Sequence, residues 1–232
     1  MIDCDTYNKL YKRFLKRGPG QMLDLAGFKA GDSFLDLCCG TGRASEEAID
    51  RGASRAFAID KTESKLSCRF ALQDFLQEAS VIERGPMRFE KYGAREFFYD
   101  TEGLADSKFD CIFCQQAINY WLLEKDDIKQ TSAELVSRAL NPNGKFVFNT
   151  FNTKPSEDIA VKEYEIDGVY YAEVSQLVDG VVHHGQFCEG CIPDHQEFDW
   201  ISPEEFMSLL MPYFKNIHIH EDGPTDIYVC SN

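Results

Sequence analysis

The sequence lacks the features that would direct it to a membrane, to secretion or to nucleic acid. It has no run of about 18 consecutive apolar residues, so no membrane-spanning helix is predicted. The segment Met1 to Asp5 has no apolar signal region. Only 24 basic residues stand against 39 acidic ones, and a net charge of −15 would repel a phosphate backbone. We therefore expect a cytoplasmic protein with neither a membrane nor a nucleic-acid partner.

The cysteines do not form the even, closely spaced set of a disulfide framework. Nine of them are scattered through 232 residues, a length that folds without disulfides, so we expect reduced thiols. Cys188 and Cys191 form a C-x2-C pair that, with His183, His184 and His195 nearby, is an alternative structural zinc site. Because a second C-x2-C pair is missing, we predict that no metal is required.

Short apolar runs alternate with helical segments from Ser33 onward, a pattern typical of βαβ units. Strands are predicted at 33–38, 54–59, 86–92, 109–114 and 144–151, the last following a turn at 141–144. The sequence thus predicts an α/β fold with a Rossmann-like, doubly wound, mostly parallel sheet.

The pattern changes after residue 152. Apolar and polar residues alternate between 160 and 200, and Asp167-Gly168 and Asp179-Gly180 are hairpin signals. Ser202-Pro203-Glu204-Glu205 predicts a capped helix over about 203–211. We expect an antiparallel β cap at 153–201, inserted between a core with an N-terminal helix (1–152) and a C-terminal part of the core (202–232) that adds an antiparallel strand.

The strongest local signal is the segment 34–45, a predicted strand that runs through Gly40-Thr41-Gly42 into a helix. Glycines at the carboxyl end of a first strand let backbone amides approach a nucleotide-like ligand. The next predicted strand ends at Asp60, at the spacing expected for a carboxylate that binds ribose hydroxyls. An N-cap role for Asp60 is the plainer alternative.

Four segments in order resemble the motifs of class I S-adenosylmethionine-dependent methyltransferases of the small-molecule type. They are 36–42, 60–66, 109–116 and 140–146, and the resemblance covers about 30–152. It implies that Asp36 and the backbone of Cys38, Gly40 and Gly42 hold the methionine part of S-adenosylmethionine. It further implies that Asp60 binds the ribose, that Lys61 lies over the adenine and that Gln115 lies by the sulfonium.

The sequence departs from the family pattern at two positions. Cys38 replaces the first motif glycine, which the turn accepts if the φ angle is negative. Gly93 stands where the family often has an acid for the adenine amino group, and the resemblance then leaves the backbone amide of Ala94 for that contact.

Two other functions stay open. An NAD(P)-dependent oxidoreductase uses a similar ribose acid, but its third fingerprint glycine would fall on Ser45. The chain is alternatively a non-catalytic protein that binds S-adenosylmethionine.

The methyl acceptor is expected to be a small molecule, with the acceptor atom (O, N or C) and the oligomeric state undetermined. Asn119, Tyr120 and Trp121 follow the fourth predicted strand and are candidate acceptor contacts. Tyr7 and Tyr11 lie on a predicted N-terminal helix that would close over the site. His183 and His184 are weak candidates for a general base, and because neighbouring strand residues face opposite sides, at most one of them faces the site.

Overall fold

The computed structural model describes residues 18–60, 81–84, 87–91, 107–118, 126–166, 168–188, 194–223 and 225–232. Along the chain its elements are α1 (Pro19–Ala26), β1 (Ser33–Leu37), α2 (Arg43–Asp50), β2 (Arg55–Asp60), β3 (Val81–Arg84), β4 (Met87–Lys91), β5 (Phe109–Cys114), α3 (Asp126–Ala139), β6 (Leu140–Phe151), β7 (Ala160–Ile166), β8 (Val169–Val178), β9 (Val181–Cys188), β10 (Asp194–Asp199), α4 (Pro203–Leu210), β11 (Asn216–Asp222) and β12 (Thr225–Ser231).

The main sheet has eight strands in the order β11-β12-β6-β5-β1-β2-β4-β3. Strands β4, β2, β1, β5 and β6 are parallel, and β12 is antiparallel to β6. The chain leaves β1 in one direction through β2 and in the other through β5. The point between β1 and β5 is therefore the topological switch point, where open α/β sheets bind ligands. The predicted fold class is confirmed.

Alternating apolar residues give the sheet two buried faces. Phe34 of β1 packs on one face with α1 and α2, whereas Leu35 and Leu37 pack on the other with α3 and α4. Helix α4 begins where the sequence predicted, because Ser202 and Glu205 form a capping box. Among the helices of the described ranges, none is both long and apolar enough to cross a membrane.

The predicted cap forms a second, antiparallel sheet in the order β10-β9-β8-β7. Asp179 (φ 50°) and Gly180 (φ 86°) make the turn between β8 and β9, the left-handed pair that the Asp-Gly signal predicted. One face of this sheet packs Leu177, Val182 and Phe198 together. The ring of Phe198 stacks on Phe151, at the end of β6, with centroids 6.2 Å apart. The boundaries of the three predicted domains stay a prediction.

The turn predicted at 141–144 belongs to the irregular start of β6. The pairing of β5 with β6 steps from Phe109 opposite Leu140 to Cys111 opposite Lys145, so the intervening residues of β6 bulge out of register. Asp110 fixes this region, since its carboxylate accepts hydrogen bonds from the backbone amide of Ser33 (2.8 Å) and from the side-chain amide of Asn141 (2.6 Å). Burial raises the pKa of Asp110, but these hydrogen bonds outweigh it and leave that pKa below its usual value.

Candidate functional site

The glycine turn after β1 lies at the switch point and folds back onto the end of β2. The backbone amide of Cys39 donates to the carbonyl of Ile59 (2.9 Å), and that of Gly42 donates to the carbonyl of Cys39 (2.9 Å). Gly40 has a φ of 55°, and a Cβ atom added there would meet nothing within 4 Å. The turn therefore presents open backbone at Gly40, as a closely approaching ligand requires.

Cys38 corrects one sequence expectation, because its φ is +56° and not negative. The turn needs the left-handed conformation at the first motif position, and cysteine adopts it against a steric penalty of about 1–2 kcal/mol. The thiol contacts Cys114, and this contact together with burial raises the pKa of Cys38 well above its usual value. Cys38 is therefore a neutral thiol that packs against β5, and no disulfide links it to another described cysteine.

Asp60 ends β2 beside this turn and is only 7% exposed. Its Oδ2 atom accepts a hydrogen bond from the backbone amide of Gly40 at 2.9 Å. The carboxylate predicted to bind ribose thus also fixes the glycine turn, so the two halves of the predicted cofactor site are linked directly.

Asp36 lies beneath the turn and does not line an open surface. It is 2% exposed, and the Ser45 hydroxyl of α2 donates to its Oδ2 at 2.8 Å. Burial raises the pKa of Asp36 to about 7, although the hydrogen bonds from Ser45 act in the opposite direction. Asp36 therefore joins β1 to the start of α2, the helix that leads out of the glycine turn.

The end of β5 brings Gln115 and Gln116 next to the turn. The Gln115 side chain donates from Nε2 to the sulfur of Met22 in α1 at 3.5 Å. Gln116 has a left-handed φ of 54°, and its backbone amide donates to Oδ1 of Asn149 at 2.7 Å. Asn149, buried near the end of β6, thereby fixes the direction in which the chain leaves β5.

A small cleft lies beside Gln116, between the main sheet and the cap. Its walls come from the ends of β5, β6 and β12 and from β10, and they carry amide, hydroxyl and apolar groups: Gln116, Ile118, Asn149, Thr150, Phe151, Phe198 and Thr225. Sequence reasoning gave a site role to none of these seven residues. The polar pair Asn149-Thr150 at the end of an apolar strand was the one signal that would have drawn attention to β6.

His183 and His184 lie on opposite faces of β9. His184 pairs with Gln196 of β10, two residues from Phe198, and therefore shares the face that packs toward the cleft. His183 pairs with Glu197 on the outer face. Of the two predicted base candidates, only His184 is on the cleft side of the cap.

Several predicted site residues lie outside the described residues and stay predictions. They are Tyr7, Tyr11, Lys61, Gly93, Ala94, Asn119, Tyr120, Trp121 and Cys191. The predicted cofactor residues that the structure describes lie at the carboxyl ends of β1, β2 and β5; they are Asp36, Cys38, Gly40, Gly42, Asp60 and Gln115.

The sequence matches a family model described as a methyltransferase domain over residues 28–208. No curated protein matches it.

Many solved structures resemble this fold, among them the following three. An S-adenosylmethionine-dependent methyltransferase from Clostridium acetobutylicum ATCC 824 is 17% identical (TM-score 0.68), with 97% of this chain and 95% of that chain covered. CalS10, an amino pentose methyltransferase from Micromonospora echinaspora solved with S-adenosylmethionine bound, is 15% identical (TM-score 0.70; 100% and 99% covered). DesVI from Streptomyces venezuelae is 17% identical (TM-score 0.67; 100% and 99% covered).

Proposed function

Because the chain belongs to the methyltransferase domain family, we propose that it transfers a methyl group from S-adenosylmethionine to an uncharged small molecule bound in the cleft between the main sheet and the cap. The observation that carries the acceptor class is the composition of the cleft wall. Among the described residues, only amide, hydroxyl and apolar side chains line it. An ionised acceptor would lose its hydration there without gaining a charged partner.

The described residues fit the cofactor. Gly40 offers open backbone at the end of β1, and the carboxylate of Asp60 at the end of β2 accepts from that same turn. We assign Asp60 to the ribose hydroxyls, and Gly40, Gly42 and Cys38 to the methionine part through their backbone. The family and the structural relatives support S-adenosylmethionine over a nicotinamide cofactor.

Bound S-adenosylmethionine supplies a methyl group activated by a positively charged sulfonium. The chain's own task is to position the acceptor and to remove water from it. Gln116 and Asn149 bring amide groups to the cleft wall, and stacked Phe151 and Phe198 offer a flat apolar wall. These groups suit a ring that carries hydroxyl or neutral amine substituents.

A proton must leave the acceptor if its reacting atom is a hydroxyl or a neutral amine. We propose that His184 is the general base that accepts this proton, because it lies on the cleft side of β9. His184→Gln should then lower turnover and remove an ionisation from its pH profile. His218→Gln, on the exposed side of β11, is the matched control. A pH profile unchanged by His184→Gln would remove His184 from the mechanism.

The cofactor assignment is tested by titrating the protein with S-adenosylhomocysteine in a calorimeter, with NADH as the control ligand. Asp60→Ala should weaken binding by about 1–3 kcal/mol, as expected when hydrogen bonds to an ionised acceptor are lost. Asp60→Asn keeps a side-chain oxygen that can accept from the Gly40 amide but loses the negative charge. It therefore distinguishes the role of Asp60 in fixing the turn from its role in binding the ribose. Asp158→Asn, an exposed position before β7, should have no effect. Tight NADH binding without S-adenosylhomocysteine binding would refute the assignment.

The acceptor class is tested by supplying S-adenosylmethionine with uncharged sugars and phenols, with carboxylates and phosphates, and with duplex DNA. Release of S-adenosylhomocysteine should be fastest with the uncharged ring compounds. The net charge of −15 and the uncharged cleft both disfavour DNA. Faster turnover of an anionic compound would contradict the proposal.

A further inference from the structure

Three side chains that the methyltransferase site does not use meet on the outer face of the cap. His183 of β9 stands directly opposite Glu197 of β10, and His195 lies two residues before Glu197 on the same strand. Side chains alternate along a strand, so all three share one face, the one opposite to Phe198. This register brings two imidazoles and one carboxylate together from two neighbouring strands.

The side chains already converge on one point. Oε1 of Glu197 lies 3.2 Å from Nδ1 of His183 and 3.8 Å from Nε2 of His195. The two imidazole rings are nearly parallel, at 16°, with centroids 5.9 Å apart. One ligand atom from each residue lies within 4.8 Å of the other two.

The shortest of these separations, 3.2 Å, is close to that of two ligand atoms on one metal ion, and the longer ones must shorten to reach it. Zinc bonds to nitrogen and oxygen are about 2.0–2.2 Å long, which places tetrahedral ligand atoms about 3.3–3.6 Å apart. His183, His195 and Glu197 have exposed side-chain fractions of 38%, 58% and 55%. Since none of them is packed in the core, small side-chain rotations close the remaining gap.

The ligand set selects the class of ion. Imidazole nitrogen suits zinc, nickel, cobalt and copper, whereas magnesium and calcium take oxygen ligands. One carboxylate compensates part of the charge of a divalent ion, and the overall charge of −15 attracts cations to the surface. Three protein ligands leave at least one position for water.

The geometry points to a binding site for one divalent transition-metal ion of the zinc class, formed by His183, His195 and Glu197. The ion joins β9 to β10 on the outer face of the cap, behind the strand that carries Phe198 to the acceptor cleft. This site differs from the zinc alternative in the sequence: it does not include Cys188 or Cys191, and His184 faces the opposite side. The ion adds to a sheet that is already formed, so folding does not depend on it.

The test is a calorimetric titration of the untagged 232-residue chain with zinc chloride under reducing conditions. We expect one ion per chain with a dissociation constant in the micromolar range. His195→Ala and Glu197→Ala should each weaken binding at least about tenfold. His218→Ala removes an exposed histidine from β11, in the other sheet, and should bind zinc like the unmodified chain.

Thermal unfolding gives a second measurement. Zinc should raise the melting temperature of the unmodified protein and of His218→Ala, and raise that of His195→Ala much less, because a ligand stabilises only the state that binds it. The proposal would be overturned if His195→Ala and Glu197→Ala bound zinc as tightly as the unmodified chain. It would also be overturned if alkylation of the thiols abolished zinc binding, since the ion would then be bound by cysteines. Absence of binding to the unmodified chain would also overturn it.

Discussion

Cys38 holds a left-handed backbone angle at the centre of the predicted cofactor site. The turn around it is fixed from two sides, by the hydrogen bond from Cys39 to Ile59 and by that from Gly40 to Asp60. Surrounding structure of this kind is what keeps a non-glycine residue at a φ of 56°. Strain in the turn is therefore compensated by the same contacts that shape the site.

The strain at Cys38 is measured by comparing Cys38→Gly with Cys38→Ala. Both variants lose the thiol and its contact with Cys114, so their difference isolates the backbone term. Cys38→Gly should be more stable than Cys38→Ala by about 1 kcal/mol in urea unfolding, because glycine accepts a positive φ without penalty. At Ser54, which has no positive φ, the same pair of variants should give the opposite order. Equal stability of the two Cys38 variants would exclude the strain.

The raised pKa of the buried Asp36 carboxyl should make the stability of the protein depend on pH. This pKa is raised from 3.8 to about 7 in the folded protein, chiefly by burial. Between these values the folded state binds a proton that the unfolded chain has lost. The contribution of Asp36 to the free energy of unfolding is therefore complete at low pH. It declines as the pH rises toward 7, by up to about 1.4 kcal/mol per pH unit.

Asp36→Asn should remove this decline, since the amide stays neutral. The stability of the variant relative to the unmodified chain should increase between pH 4.5 and 8 in urea unfolding. Asp110→Asn is the contrast: the pKa of Asp110 is lowered, so its contribution is lost only as the pH falls below the usual range of a carboxyl. The free energy of unfolding of Asp110→Asn should therefore be lower than that of the unmodified chain by the same amount throughout this pH interval. If the stability difference between Asp36→Asn and the unmodified chain were also constant from pH 4.5 to 8, Asp36 would be ionised over that whole interval.

At the scale of elements, the start of β6 depends on one close backbone approach. A Cβ atom at Gly144 would lie 2.7 Å from the carbonyl oxygen of Phe109 and 3.1 Å from the backbone nitrogen and oxygen of Asn141. Glycine is needed here for space and not for a positive φ. The backbones of β5 and β6 can therefore approach this closely at the bulge only because residue 144 has no side chain.

Gly144→Ala should destabilise the protein by about 1–3 kcal/mol, the usual penalty for overpacking. Gly18→Ala is the matched control, because a Cβ atom there meets nothing within 4 Å and the φ is −73°. Alanine is less favourable than glycine at this N-cap position but also restricts the unfolded chain, so that control should change the free energy of unfolding by less than about 1 kcal/mol. Urea unfolding measures both, and equal effects would show that the strands separate to admit the methyl group.

Two elements did not follow from the sequence pattern. Helix α1 and strand β3 were not predicted, whereas β1, β2, β4, β5 and α4 lie within two residues of their predicted bounds. Strand β3 is a short antiparallel partner of β4 at the sheet edge. Four residues give too few repeats for a period to be recognised, and such a strand depends on its neighbour for its hydrogen bonds.

At the scale of the whole molecule, the two sheets have different proposed tasks. The main sheet carries the glycine turn and Asp60, and the cap brings Phe198 to the acceptor cleft. The stack of Phe151 on Phe198 joins the two across that cleft. Cofactor binding and acceptor choice should therefore be separable by substitution.

Phe198→Leu should lower kcat/KM for an accepted ring compound about 2- to 10-fold, because it removes an aromatic contact of about 0.5–1.5 kcal/mol while keeping most of the volume. Affinity for S-adenosylhomocysteine should stay within a few fold. Phe187→Leu is the matched control, since Phe187 is exposed on the outer face of the cap. A parallel loss of cofactor affinity in Phe198→Leu would refute the division of tasks.

The sequence by itself determined what depends on neighbours along the chain. Alternating apolar residues specified the strands, Asp-Gly and Ser-Pro-Glu-Glu specified a turn and a cap, and the spacing from Gly42 to Asp60 indicated the two halves of a cofactor site. Only the tertiary structure decided what depends on residues far apart. It placed Thr225 beside Asn149 in the cleft and put His184, not His183, on the cleft side of the cap. It also held Cys38 at a positive φ, because long-range hydrogen bonds and packing outweigh a local backbone preference of about 1–2 kcal/mol.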